Sequence, residues 1–135
     1  MAKVEARPGR PLSPHLTVFR PYVNMMMSIL HRMTGAANYF GIVLIAVWLT
    51  AAASGQDTFF TVNSLFASPL GLLILFGYSW SLIHHALGGL RHFLWDTGRG
   101  FGLGAVRALS WAAIPASLAI TGALWFVGLT KMGVL

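Results

Sequence analysis

Three long apolar runs limit what this chain can fold into more than any other feature. They cover roughly residues 29–53, 65–93 and 108–129, and the centre of the first, Phe40-Gly-Ile-Val-Leu-Ile-Ala-Val-Trp-Leu49, carries no charge. A bilayer core is crossed by about 20 apolar helical residues, because a rise of about 1.5 Å per residue must span about 30 Å. Inside hydrocarbon the backbone has to satisfy its own hydrogen bonds, and a helix does so locally. Only 9% of the residues are charged, against about 25% in a soluble domain, and the mean hydropathy is +0.71. These observations predict an all-α integral membrane protein with three transmembrane helices. At 135 residues, without an internal repeat, the chain reads as one unit.

The segments between the runs read as connectors. Residues 1–21 carry Pro8, Pro11, Pro14 and Pro21, and each proline removes a donor and restricts the residue before it. An extended arm over residues 1–27, at the membrane surface or in the cytoplasm, is expected, followed by the membrane anchor over 28–135. Residues 1–11 lack the apolar core of a signal peptide. Ser54-Gly-Gln-Asp57 has turn chemistry, and residues 57–64 read as a short loop. The glycine-rich stretch over 96–104 follows a membrane helix rather than a buried strand, which argues against a nucleotide fingerprint. Pro115 falls inside the third run, where a membrane helix tolerates a kink.

Charge sets the orientation. The first 27 residues hold Lys3, Arg7, Arg10 and Arg20; the first loop has no basic residue; Arg91, Arg99 and Arg107 flank the second. The positive-inside rule puts the N-terminus and second loop in the cytoplasm and the C-terminus in the periplasm. The net charge of +6 is spread singly at the ends of apolar runs, which fits anionic headgroups or an acidic partner, not nucleic acid. Cysteine is absent, excluding disulfides, thiolate metal sites and c-type haem attachment, but not haem held by histidine.

This orientation brings Ser28, His31, Arg32, His85, Arg91, His92 and Asp96 to one membrane face. Ionisable groups at such positions mark function by default. Gly77, Ser81, His85 and Gly89 form one i, i+4 row. A flat porphyrin approaches a helix only where side chains are short, so an imidazole amid small residues makes a plausible ligand stripe. His84 points about 100° away, and His92 lies about two turns, or ~10 Å, from His85. His84 reads more simply as an interfacial polar group. Ser28 and Arg32 share a face and can bond a quinone carbonyl; by pattern alone Arg32 reads as snorkelling to phosphate headgroups. Asp96 can pair with Arg91 or Arg99.

Three strings together carry a resemblance: Arg10-Pro-Leu-Ser-Pro-His15-Leu, Ser28-Ile-Leu-His-Arg-Met-Thr-Gly35 and His85-Ala-Leu-Gly-Gly-Leu-Arg-His92-Phe-Leu-Trp-Asp96. They resemble the cytochrome b membrane-anchor subunits of succinate dehydrogenase, respiratory complex II. The resemblance covers almost the whole chain, and the compact arm suits a bacterial version in the cell inner membrane. It implies half of a heterodimeric helix-bundle anchor. Haem b would lie between this chain and a second anchor subunit, one histidine from each. It implies His85 as the axial ligand to the haem iron, His31 beside the haem propionates, and Ser28 and Arg32 at the ubiquinone site. Arg91, His92 and Asp96 would form the polar edge close by. Flavoprotein and iron–sulfur subunits would dock on the same face, so the chain would be a non-catalytic subunit passing electrons from succinate to ubiquinone. A haem-free structural anchor and a fumarate reductase anchor are the alternatives.

Overall fold

The computed structural model describes residues 18–134, and they form four helices. The Arg10 to Leu16 string and most of the expected arm lie outside the described residues. Helix α1 spans Val23–Ser54, α2 Gln56–Phe66, α3 Pro69–Asp96 and α4 Leu103–Lys131. Helices α1, α3 and α4 are each long and apolar enough to cross a membrane. The three predicted spans are therefore present, and each differs at its edges.

α1 begins at Val23, so residues 23–27 of the expected arm are helical. Nothing in Val23-Asn-Met-Met-Met-Ser breaks a helix, and Pro21 stands just ahead of it. The expected loop over 57–64 is wrong: those residues belong to α2. The turn chemistry at Ser54 to Asp57 is real but marks one residue. Gly55, at φ 113°, ends α1 and leads straight into α2. Asp57 lies in the first turn of α2, where a negative charge complements the helix dipole. Phe59 then meets Trp48 of α1 edge-on, with centroids 5.8 Å apart. The second span starts at Pro69 rather than near residue 65, because Ser68 caps it. The Ser68 hydroxyl accepts from the Gly71 N–H at 3.1 Å, and Pro69 occupies the first turn, where its missing N–H matters least. α4 runs without a break through Pro115.

Burial is inverted relative to a soluble protein. The buried apolar residues are Met27 and Ala51, whereas Thr34, Ser81, His84, Arg91, Ser110, Ser117 and Thr121 are all buried. Large apolar side chains cover the outside: Tyr39, Phe40, Phe60, Leu73 and Phe126 among them are exposed. Lipid tails accept that surface as readily as a neighbouring helix would, so small residues and hydrogen bonds between helices hold the bundle together. Gly41 of α1 packs against Tyr78 of α3. It is buried, and a Cβ built there would overlap the Tyr78 ring.

Gly41→Val should therefore push α1 off α3. We expect a loss of about 1–3 kcal/mol, the usual range for overpacking, read as a lower thermal midpoint of the purified protein. Adding Tyr78→Ala should restore part of it. An unchanged midpoint in Gly41→Val would contradict the packing described.

Candidate functional site

Helices α1 and α3 meet through two histidines. The rings of His31 and His85 stack with centroids 4.1 Å apart and planes within 5°. His85 Nδ1 lies 3.1 Å from the His31 carbonyl oxygen, and the Thr34 hydroxyl is 3.5 Å away. A carbonyl only accepts, so Nδ1 carries the hydrogen and donates it. In the neutral ring that leaves the Nε2 lone pair uncommitted. Two glycines make the contact possible. A Cβ on Gly35 would stand 3.0 Å from His85 Cε1, and one on Gly88 would overlap the His31 ring. The small-residue row reads in a new way. Ser81 is buried against α1, 2.8 Å from Asn38 Oδ1 and 3.1 Å from the Thr34 carbonyl. Cβ atoms on Gly77 and Gly89 would meet nothing within 4 Å. The row thus has a centre anchored on α1 and two open ends.

His84 turns the other way and is a core residue, 1% exposed. This corrects its reading as an interfacial polar group. Its Nδ1 is 3.1 Å from the Ser117 hydroxyl of α4, and Trp80 Nε1 donates to the same oxygen at 3.0 Å. The Ser117 hydroxyl donates its hydrogen to the Ile114 carbonyl at 2.8 Å. Its lone pairs then accept from Trp80 and His84 together. The two adjacent histidines therefore have separate tasks, His85 towards α1 and His84 towards α4.

Arg91 is buried as well, which sequence did not foresee for a residue of the polar edge. Its Nη1 donates to the Ser110 hydroxyl at 3.0 Å, and Ser110 donates to Asn24 Oδ1 at 2.7 Å. That chain joins α3, α4 and the start of α1. The guanidinium also lies over the Trp95 ring at 4.9 Å. His92 and Asp96 are exposed, as are Ser28 and Arg32. His92 keeps contact with the cluster, its ring 5.4 Å from that of His31. The structure thus joins His31, His85 and His92 ring to ring, keeps Ser28 and Arg32 on an outer face of α1, and sends Arg91 inward. Among the described residues no group of three His, Asp or Glu side chains is placed to hold a metal ion. Three buried nitrogens have no partner among the described residues: His31 Nε2, Arg91 Nε and Trp95 Nε1.

Residues 6–124 match the family model of the succinate dehydrogenase/fumarate reductase transmembrane subunit. The chain belongs to that family. Its relatives include the succinate dehydrogenase cytochrome b556 subunit of Rickettsia prowazekii, 37% identical over 91% of this chain and 96% of the relative. The cytochrome b556 subunit of Paracoccus denitrificans is 41% identical over 84% of this chain and 88% of its own. The mitochondrial cytochrome b560 subunit of Sus scrofa is 39% identical over 68% of this chain and 56% of its own. With these bacterial relatives and three apolar helices, this family member is a multi-pass inner-membrane protein.

Sequence reasoning missed Asn24, Ser110 and Ser117, and gave no role to Thr34, Gly35 and Gly88 within the strings that contain them. One signal was available on α4. Ser110, Ser117 and Thr121 recur at spacings of seven and four, which puts three small polar residues on one helix face. Ser117→Ala should leave two donors, Trp80 Nε1 and the buried His84 Nδ1, without their acceptor. The expected loss is about 1–3 kcal/mol, the desolvation penalty of an orphaned buried group. Thermal or denaturant unfolding of the purified protein measures it, and Ser117→Thr should recover most of it.

Proposed function

We propose that this family member is the cytochrome b membrane-anchor subunit of succinate dehydrogenase. In this reading it binds haem b with a second anchor subunit and helps form the ubiquinone site. The observation that carries it is the hydrogen-bonded state of His85. With Nδ1 donated to the His31 carbonyl, the imidazole is held as the tautomer that ligates through Nε2, and a fixed second partner is what orients a histidine ligand. The residues fit the group: the open ends at Gly77 and Gly89 leave room beside the ring for a flat macrocycle.

His85 would hold the haem iron through Nε2, together with a histidine of the second anchor. Bound in this way, haem iron is a one-electron carrier whose potential depends on its ligands and surroundings. His31 stacks on the ligand ring, and its buried, unpaired Nε2 suits a propionate oxygen. Ser28 and Arg32, exposed one turn apart on α1, offer a hydroxyl and a guanidinium to a quinone carbonyl. His92 and Asp96 stand at the aqueous edge beside them, and Arg91 braces that edge from within. The iron–sulfur and flavoprotein subunits dock on this face, which the positive-inside rule makes cytoplasmic. Electrons from succinate cross that interface to ubiquinone, while this chain binds, orients and shields.

Haem content and spectrum of the purified complex test the ligand. His85→Ala should lose the b-type spectrum and the pyridine haemochromogen, and His84→Ala should keep both in a less stable complex. The reverse outcome would assign the wrong histidine. Arg32→Ala should slow ubiquinone reduction about tenfold or more, the worth of one charge-assisted hydrogen bond. Succinate oxidation by an artificial dye should persist. Equal loss of both activities would point to failed assembly and remove Arg32 from the quinone site.

A further inference from the structure

A cavity of about 250 Å³ lies in the groove between α1, α3 and α4. Leu90 and Leu94 of α3 and Ala113 and Ala116 of α4 line its apolar length, and His31 and Arg91 contribute its polar wall. Leu90 on its wall is 60% exposed, so the cavity is open to the outside of the bundle. Its chemistry is set by Arg91, which is 8% exposed. The residues satisfying that guanidinium are neutral: Ser110 accepts from Nη1, and Trp95 lies beneath. The Nε–H has no acceptor among the described residues. Asp96 and Asp57 are the acids among those residues; Asp96 is exposed, and Asp57 sits in α2, past the far end of α1. Arginine does not shed its proton in proteins, so a buried guanidinium calls for an anion.

Depth and direction narrow the anion. Arg91 is five residues from the end of α3 at Asp96, about 8 Å along the axis and so near headgroup level. It lies about 120° around α3 from His85, on a different face from the ligand row. The geometry points to a lipid site: the cavity holds one phospholipid, its phosphate on the Arg91 guanidinium and an acyl chain along Leu90, Leu94, Ala113 and Ala116. Guanidinium and phosphate form a strong charge-assisted pair, and an apolar groove with one cation at headgroup depth complements an amphiphile with one anion.

The test uses the complex purified from its own membranes, delipidated by detergent exchange and given back phosphatidylglycerol. Bound lipid is counted by mass spectrometry and haem by the pyridine haemochromogen. Wild type should retain one more phosphatidylglycerol per chain than Arg91→Met, whose affinity should fall about tenfold or more, at equal haem content. Ala113→Phe, which fills the groove and keeps the guanidinium, should lose the same lipid. Equal binding by wild type and Arg91→Met overturns the site. So does haem loss with lipid retained, which would give Arg91 to a haem carboxylate instead. Where Arg91→Met does not assemble, Ala113→Phe decides: lipid lost supports the site, lipid kept overturns it.

Discussion

Hydrogen bonds between helices are what the rest of this structure depends on. In hydrocarbon, two apolar helix faces gain little by touching, since lipid tails are equally apolar. The contacts that distinguish this bundle from three independent spans are small and polar. Ser81 reaches Thr34 and Asn38, Ser117 takes Trp80 and His84, and Ser110 links Arg91 to Asn24. Each leaves buried donors and acceptors paired, which matters more in a low-dielectric medium than in water. The functional cluster is not an insertion into a finished scaffold, because the same side chains and carbonyls that close the bundle also set the histidine rings.

α3 is the centre of that arrangement. One of its faces presents His85 to α1 and the adjacent face presents His84 to α4. Gly88 lets His31 approach and Gly35 lets His85 approach. The Ser28 to Gly35 string can be understood residue by residue from these contacts. His31 offers its carbonyl and its ring, Thr34 caps the contact, Gly35 clears it, and Ser28 and Arg32 stay outside.

Much of this was legible in the sequence, and the failures have physical causes. The spans were visible because apolar runs of that length have few other uses. That His31 and His85 share one membrane face was visible because charge asymmetry sets orientation, and orientation sets depth; their stacking was not. α2 was missed because a single glycine at positive φ ends one helix and starts the next, which resembles a loop when read residue by residue. The roles of His84 and Arg91 were missed because in a membrane protein polarity does not mean exposure. The expectation that a charged residue near a helix end faces water fails where a serine on the next helix can receive it. Which way Arg91 turns depends on Ser110, nineteen positions later, and hydropathy contains nothing of that pairing.

The histidine doublet has one more consequence, for register. A one-residue slip of α3 rotates it by about 100°. His84 would then stand where His85 meets His31, and an imidazole would still face α1. The other contacts with α1 would fail, however: Leu87 would take the place of Gly88 against His31, and Trp80 that of Ser81 against Thr34 and Asn38. Contacts with α4 would fail as well, because Ile83 would replace His84 and Ser79 would replace Trp80 opposite Ser117. The small residues Ser81 and Gly88 facing α1, together with Ser117 of α4, therefore decide which of two neighbouring imidazoles faces α1.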